Sequence, residues 1–245
     1  MSNGAIKKKI LEKYPECLFG QSFNDGSLGG CNEAGCPDVE TPKLWKYLID
    51  EYEIKSVLDI GCGFGYALKY FDEKLKLDIY GIDGSDKVIE LSFYPDKIIA
   101  NDYSKGISNF NKQIDLVWST EFLEHVDAQH IPNFMKDISL GKYCVVTHGV
   151  PGQAGHHHVN CQSKEYWINI FKDYGMYYDE IETETVRKLA TEDHEDLLNY
   201  LKLDPLTRDF RTFSTNECDK QEFHSNRMPF VAWNALFFRN KLKHV

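Results

Sequence analysis

Val57-Leu58-Asp59-Ile60-Gly61-Cys62-Gly63-Phe64-Gly65 is the stretch that decides the fold. An apolar run ends in three glycines spaced by two, and residues 66–71 behind them read as a helix. Such a strand-to-helix turn lets backbone amides approach a ligand closely. A Cβ there would block the approach or forbid the conformation, and the helix start offers unpaired N–H groups. Asp59 stands two residues before the first glycine, and Asp83 ends the next apolar run in Tyr80-Gly81-Ile82-Asp83. A carboxylate leaving a second strand can accept two hydrogen bonds from a ribose diol.

Outward from this turn, strands and helices trade places. Residues 56–60, 77–82, 97–100, 114–119 and 143–147 read as strands, and residues 86–93 and 131–139 as helices. Parallel βαβ units with right-handed crossovers follow from that alternation. Before it, residues 5–14 and 42–52 read as helices around a Gly-, Asn- and Ser-rich loop at 21–37. After it, Ser163 is placed to cap a helix that carries Tyr166, Trp167, Ile170, Phe171 and Tyr174 on one face and stops at Gly175. Residues 176–184 read as a strand, Leu197, Leu198 and Leu201 as part of a helix, and 230–238 as the seventh strand.

At 245 residues, with 42% hydrophobic and 13% aromatic content, the chain has material for one α/β domain with extensions. The expected division is an N-terminal helical and loop cap (1–54), a cofactor-binding core (55–185), a lid or dimer insertion (186–229) and a final strand (230–239). No long apolar run and no secretory leader pattern is present, so a cytoplasmic enzyme is expected, with no membrane association. Seven cysteines without a framework spacing read as free thiols. A formal charge of -10 repels polyanions, which disfavours nucleic acid as a partner. The Lys, Asn, Ile and Tyr usage suits an AT-rich genome, that of a large virus or phage included.

The cofactor follows from what the turn lacks. A dinucleotide fingerprint wants its third glycine where Tyr66 stands, and the negative charge of Asp59 does not suit a pyrophosphate. S-adenosylmethionine carries a cationic amine and a sulfonium instead, and Asp59 can attract that amine. At this point the sequence resembles the class I S-adenosylmethionine-dependent methyltransferase family, of small-molecule or sugar type. Asp59-Ile60-Gly61-Cys62-Gly63-Phe64-Gly65 matches its first motif, and the resemblance runs over residues 55–175. It implies a Rossmann-like α/β fold with a seven-stranded, mostly parallel sheet, helices on both faces and the last strand antiparallel. It also implies that Asp83 and Gly84 hold the ribose and that Asp102 with Tyr103 contacts adenine. The strand ending at Ser119 would lie against the methionine part, and S-adenosylhomocysteine would be the product.

Methyl transfer needs a base only where the acceptor must lose a proton early. The loop Thr147-His148-Gly149-Val150-Pro151-Gly152-Gln153-Ala154-Gly155-His156-His157-His158 leaves the fifth strand, and His157 or His158 is expected to be that base, with Glu121 facing the acceptor. No metal is expected, because consecutive histidines in an extended segment point to opposite sides. Cys31, Cys36, Cys218 and His224 do not have the spacing of a zinc site either. Glu124 and His125 read as partly structural. The expected acceptor is a small polar molecule, a sugar or nucleotide sugar methylated on oxygen. The alternatives are N-methylation of an amine, such as an amino sugar, or cofactor binding without catalysis. The lid segments could instead make a homodimer contact.

Overall fold

A computed structural model of the chain describes residues 41–201 and 230–241. Seven strands form one sheet: β1 (Ser56–Ile60), β2 (Asp78–Asp83), β3 (Ile98–Ala100), β4 (Ile114–Ser119), β5 (Gly141–Val146), β6 (Met176–Tyr178) and β7 (Leu236–Asn240). Their order is β3-β2-β1-β4-β5-β7-β6. β1 to β5 are parallel, and β7 runs antiparallel between β5 and β6. The expected Rossmann-like sheet, with its last strand inserted antiparallel, is the one found.

Side chains alternate across the strands, so one sheet builds two cores. Val57, Leu116, Trp118, Val145 and Phe237 point to one face. There they meet α1 (Pro42–Tyr52) through Leu44, Trp45 and Leu48, and α2 (Tyr66–Glu73) through Leu68 and Phe71. Leu58, Ile60, Val117, Cys144, Val146 and Phe238 point to the other. On that side lie α4 (Ile131–Ile138), with Phe134 and Met135, and α5 (Lys164–Asp173), with Trp167 and Phe171; α3 (Asp86–Glu90) follows β2. Both faces are covered, which is why the central strands are almost continuously apolar. Among the described residues no helix is long and apolar enough to cross a membrane.

Some of the expected element bounds need correction. Residues 176–184 are not one strand: β6 stops at Tyr178, and α6 (Glu180–Leu201) begins at once. The cause is Asp179, whose Oδ1 accepts the Glu182 amide at 3.0 Å while its carbonyl accepts that of Thr183, an N-cap that the alternation of 176–184 concealed. Val186 and Ala190 of α6 pack into the core beside α1. Residues 230–238 are likewise divided, into α7 (Phe230–Asn234) and β7, which continues to Asn240. Arg187 Nε donates to the Ala235 carbonyl at 2.9 Å and pins the break between them. The helix expected over 86–93 ends at Glu90, because the Phe93 amide turns to the Phe64 carbonyl, 3.0 Å away, and Pro95 follows. The helix at 5–14, the loop at 21–37, the four zinc candidates and residues 202–229 lie outside the described residues.

Candidate cofactor and acceptor site

The sheet changes direction between β1 and β4. β1 pairs with β2 on one side and β4 on the other, and the chain crosses over between them. In an open α/β sheet such a switch point leaves a crevice at the carboxyl ends of the strands. A cavity of about 280 Å³ opens there, bounded by the turns after β1, β2, β3 and β4 and by the loop after β5.

The turn after β1 is built for close approach. Gly61 sits at φ +77° with its amide on the Ile82 carbonyl at 2.8 Å, and a Cβ on it would lie 2.9 Å from the Phe122 ring. Only glycine fits, by conformation and by space. The Gly63 amide donates to Asp83 Oδ2 at 2.8 Å, and the Ser85 amide to Asp83 Oδ1 at 3.0 Å. One carboxylate thus ties the glycine turn to the turn after β2. Gly65 caps α2 from φ +81°, and Cys62 is buried beneath the turn. The Ser119 hydroxyl donates to the Ile60 carbonyl at 2.8 Å and fastens the end of β4 to β1.

Asp59 lies under this turn, buried in β1. Burial, then the like charge of Asp83, pushes its carboxyl up to about 8. No cation of the described residues offsets it. The sign of the consequence is fixed: the unfolded chain loses this proton near the ordinary value of 3.8, whereas the folded chain keeps it to about 8. The native state holds the extra proton across that window, so ligand-free stability falls as pH rises through it. Asp59→Asn is expected to flatten that slope and to leave thermal stability at pH 8 equal to the parent's or higher. A lower melting temperature at every pH would contradict this.

Asp102 takes the Ser104 amide on Oδ1 at 2.9 Å and the Lys105 ammonium on Oδ2 at 3.1 Å. Burial raises its pKa, but these bonds outweigh it and hold the carboxyl below the usual range. The side chain of Tyr103 serves the core. Its hydroxyl donates to Asp137 at 2.7 Å, and its ring packs edge-on against Phe122 and Phe134.

The other half of the cavity comes from two segments. After β4, Glu121 stands at φ +53°, its amide and its Oε1 both hydrogen-bonded to the Thr147 hydroxyl, at 2.7 and 3.0 Å. A 3-10 turn, Leu123–His125, follows. The loop after β5 closes over that turn: the Val159 and Asn160 amides both donate to the Glu124 carbonyl, at 2.9 and 3.0 Å. His157 stands at φ +54° and its carbonyl accepts from His125 Nδ1 at 3.3 Å, which puts the hydrogen of His125 on Nδ1. Burial pushes the Glu124 carboxyl up and lowers the imidazole of His125 to about 4.

Gly61, Gly63, Asp83, Gly84, Asp102, Tyr103, Glu121 and His157 are thus brought to one cavity. Asp59, Cys62, Gly65 and Ser119 lie at the ends of β1 and β4 and in the glycine turn, but not on its lining. His158 turns off the cavity wall toward His125, with ring centroids 5.0 Å apart, and toward the Cys161 thiol, 3.6 Å from its Nδ1. Sequence reading missed Asn101, Ser104, Phe122, Asp127 and His130 on the wall. Asp127 and His130 bracket the 3-10 turn Ala128–His130, and short turns leave no periodicity to read.

Residues 38–141 match the methyltransferase domain family. Over those residues the chain carries a methyltransferase domain of the S-adenosylmethionine-dependent kind. S-adenosylmethionine is accordingly its cofactor. No curated protein matches the sequence. Among solved structures, the methyltransferase is similar to a TehB-like SAM-dependent methyltransferase from Corynebacterium glutamicum, with 16% identity over 83% of this chain and 90% of that one, TM-score 0.48. It is also similar to residues 961–1257 of the StiE O-MT, with 19% identity over 81% and 73%, TM-score 0.49. A third is the magnesium protoporphyrin IX methyltransferase of Synechocystis PCC 6803 with bound SAH, with 15% identity over 55% and 71%, TM-score 0.44.

Proposed function

We propose that the methyltransferase methylates a hydroxyl of a small, uncharged polar acceptor, a sugar before all. Asp59 attracts the amine of S-adenosylmethionine, directly or through water, and Asp83 holds the ribose. Asp102 and the backbone at Tyr103 flank adenine, and Gly61, Cys62, Gly63, Gly65 and Gly84 shape the turns around the cofactor, with Ser119 locking the end of β4. Glu121 orients the acceptor, and His157 takes its proton. His158 is passed over as the base because it turns away from the cavity. The acceptor oxygen attacks the methyl carbon in line with the C–S bond. That bond breaks with its electron pair on sulfur, leaving S-adenosylhomocysteine, and the hydroxyl proton passes to the imidazole of His157.

One observation carries this reading. Glu121 and His157, two of the four non-glycine residues with left-handed backbone among those described, line the cavity that Asp83 and Asp102 also line. Such conformations cost of order 1–3 kcal/mol each and persist where the surrounding structure enforces them, which is most often at functional sites. No described Lys or Arg lines the cavity, whereas Asp83, Asp102, Glu121 and Asp127 do. That balance favours a phosphate-free sugar over a nucleotide sugar. It also supports a second reading, a cationic amine as acceptor.

Transfer of labelled methyl from the cofactor to panels of neutral sugars, nucleotide sugars and amines separates these outcomes. Label on a sugar oxygen supports the first reading, and label on amines alone replaces it by the second. Tight cofactor binding with no transfer to any panel defeats both.

A further inference from the structure

Among the described residues, the Glu124 carboxylate stands out as a buried polar group without a hydrogen-bond partner. It is fully buried, and neither of its oxygens has a hydrogen-bond partner among the described residues. An unpaired buried carboxylate is costly, and buried charges are normally paired or bound to a metal. The Glu121 side chain and the Gly149 amide stand close to it, and so do a ring nitrogen of His125 and one of His158. The donor atoms of Glu124, His125 and His158 lie within 4.8 Å of one another. Four ligands at bond lengths near 2.1 Å set a tetrahedron with edges of about 3.4 Å, so side-chain rotations alone could close the set on an ion.

The backbone holds these ligands in place. The Val159 and Asn160 amides tie the second segment to Glu124, and the His157 carbonyl fixes the ring of His125 from its Nδ1 side. A carbonyl partner of this kind is how metal-bound histidines are commonly oriented. Gly155 makes room for His158: a Cβ there would fall 2.3 Å from the imidazole. The histidine triplet therefore contributes one ligand, not three, and the objection about consecutive residues does not apply to the set.

We propose that Glu124, His125 and His158 bind a first-row transition-metal dication of the zinc type. Two imidazoles and one carboxylate suit such an ion, whereas magnesium and calcium prefer oxygen alone. Three protein ligands leave a position open, as in catalytic metal sites. His125 is itself on the cavity wall, which sets the three side chains beside the cavity. Resting on the proposed hydroxyl acceptor, the open position receives the acceptor oxygen and polarises it before attack.

The test uses the tag-free full chain, stripped with a chelator and titrated with Co²⁺ in the absence of cofactor and acceptor, with visible d–d absorption as the readout. One Co²⁺ per chain is expected, displaced by Zn²⁺ and not by Mg²⁺. His158→Asn and Glu124→Gln should each weaken it by at least about tenfold, with cofactor affinity by calorimetry retained as the check on folding. His156→Ala, at an exposed neighbour, should leave Co²⁺ affinity unchanged. Absence of the absorption band, or equal Co²⁺ affinity in His158→Asn and Glu124→Gln, overturns the site. Co²⁺ binding without methylation of any hydroxyl would fault only the acceptor reading, and methylation without Co²⁺ binding only this one.

Discussion

His157→Asn is expected to lower kcat by about two to four orders of magnitude, the range for loss of a positioned general base. Asparagine is the informative replacement because it tolerates the left-handed conformation in which His157 stands, at φ +54°. It therefore keeps the carbonyl that accepts from His125. KM for the acceptor and the dissociation constant of S-adenosylmethionine should change little, since the loss falls on the transition state. Single-turnover methylation, alongside calorimetric titration of the cofactor, checks both halves. Unchanged turnover would remove His157 from the mechanism.

Asp83→Ala is expected to weaken S-adenosylmethionine binding by about a hundredfold, close to 2.7 kcal/mol. Two losses combine. The ribose loses its acceptor, and the amides of Gly63 and Ser85 lose the carboxylate that fixes both turns. Hydrogen bonds to a charged group are worth about 1.5–3 kcal/mol each, so a loss of this size is within reach of two of them. Asp83→Asn separates the contributions, because it keeps one acceptor oxygen and removes the charge. Calorimetry should place its affinity between those of the parent and the alanine variant. An alanine variant that binds like the parent would show that the ribose is held elsewhere.

Local chemistry made the centre of the sheet readable. β4 lies at residues 114–119 as expected, and the turn after β1 carries its glycines where backbone had to approach. The edges were harder for a definite reason. Met176 and Tyr178 point into the core and Tyr177 between them points out, as in a strand, and nothing in the apolar pattern announces that Asp179 caps a helix. In the 230–238 run, apolar residues sit at almost every position, so helix and strand periods cannot be separated. Chain geometry decides it, through Ala235 and Arg187.

The site divided along the same line. Motif residues such as Asp59, Gly61 and Asp83 are close in sequence to the strand ends that position them. The grouping of His158 with Glu124 and His125 spans more than thirty residues and depends on two backbone hydrogen bonds to one carbonyl. Only the fold brings those residues together.

The claim beneath the rest is that Asp59, protonated in the free protein, ionises against the cofactor's ammonium group. Calorimetric titration with S-adenosylmethionine at pH 7, in buffers of different ionisation enthalpy, reads the protons exchanged. The account predicts release of close to one proton per chain, with affinity rising as pH approaches 8, and loss of both effects in Asp59→Asn together with weaker binding. Binding of equal strength and equal proton count in parent and variant would contradict it.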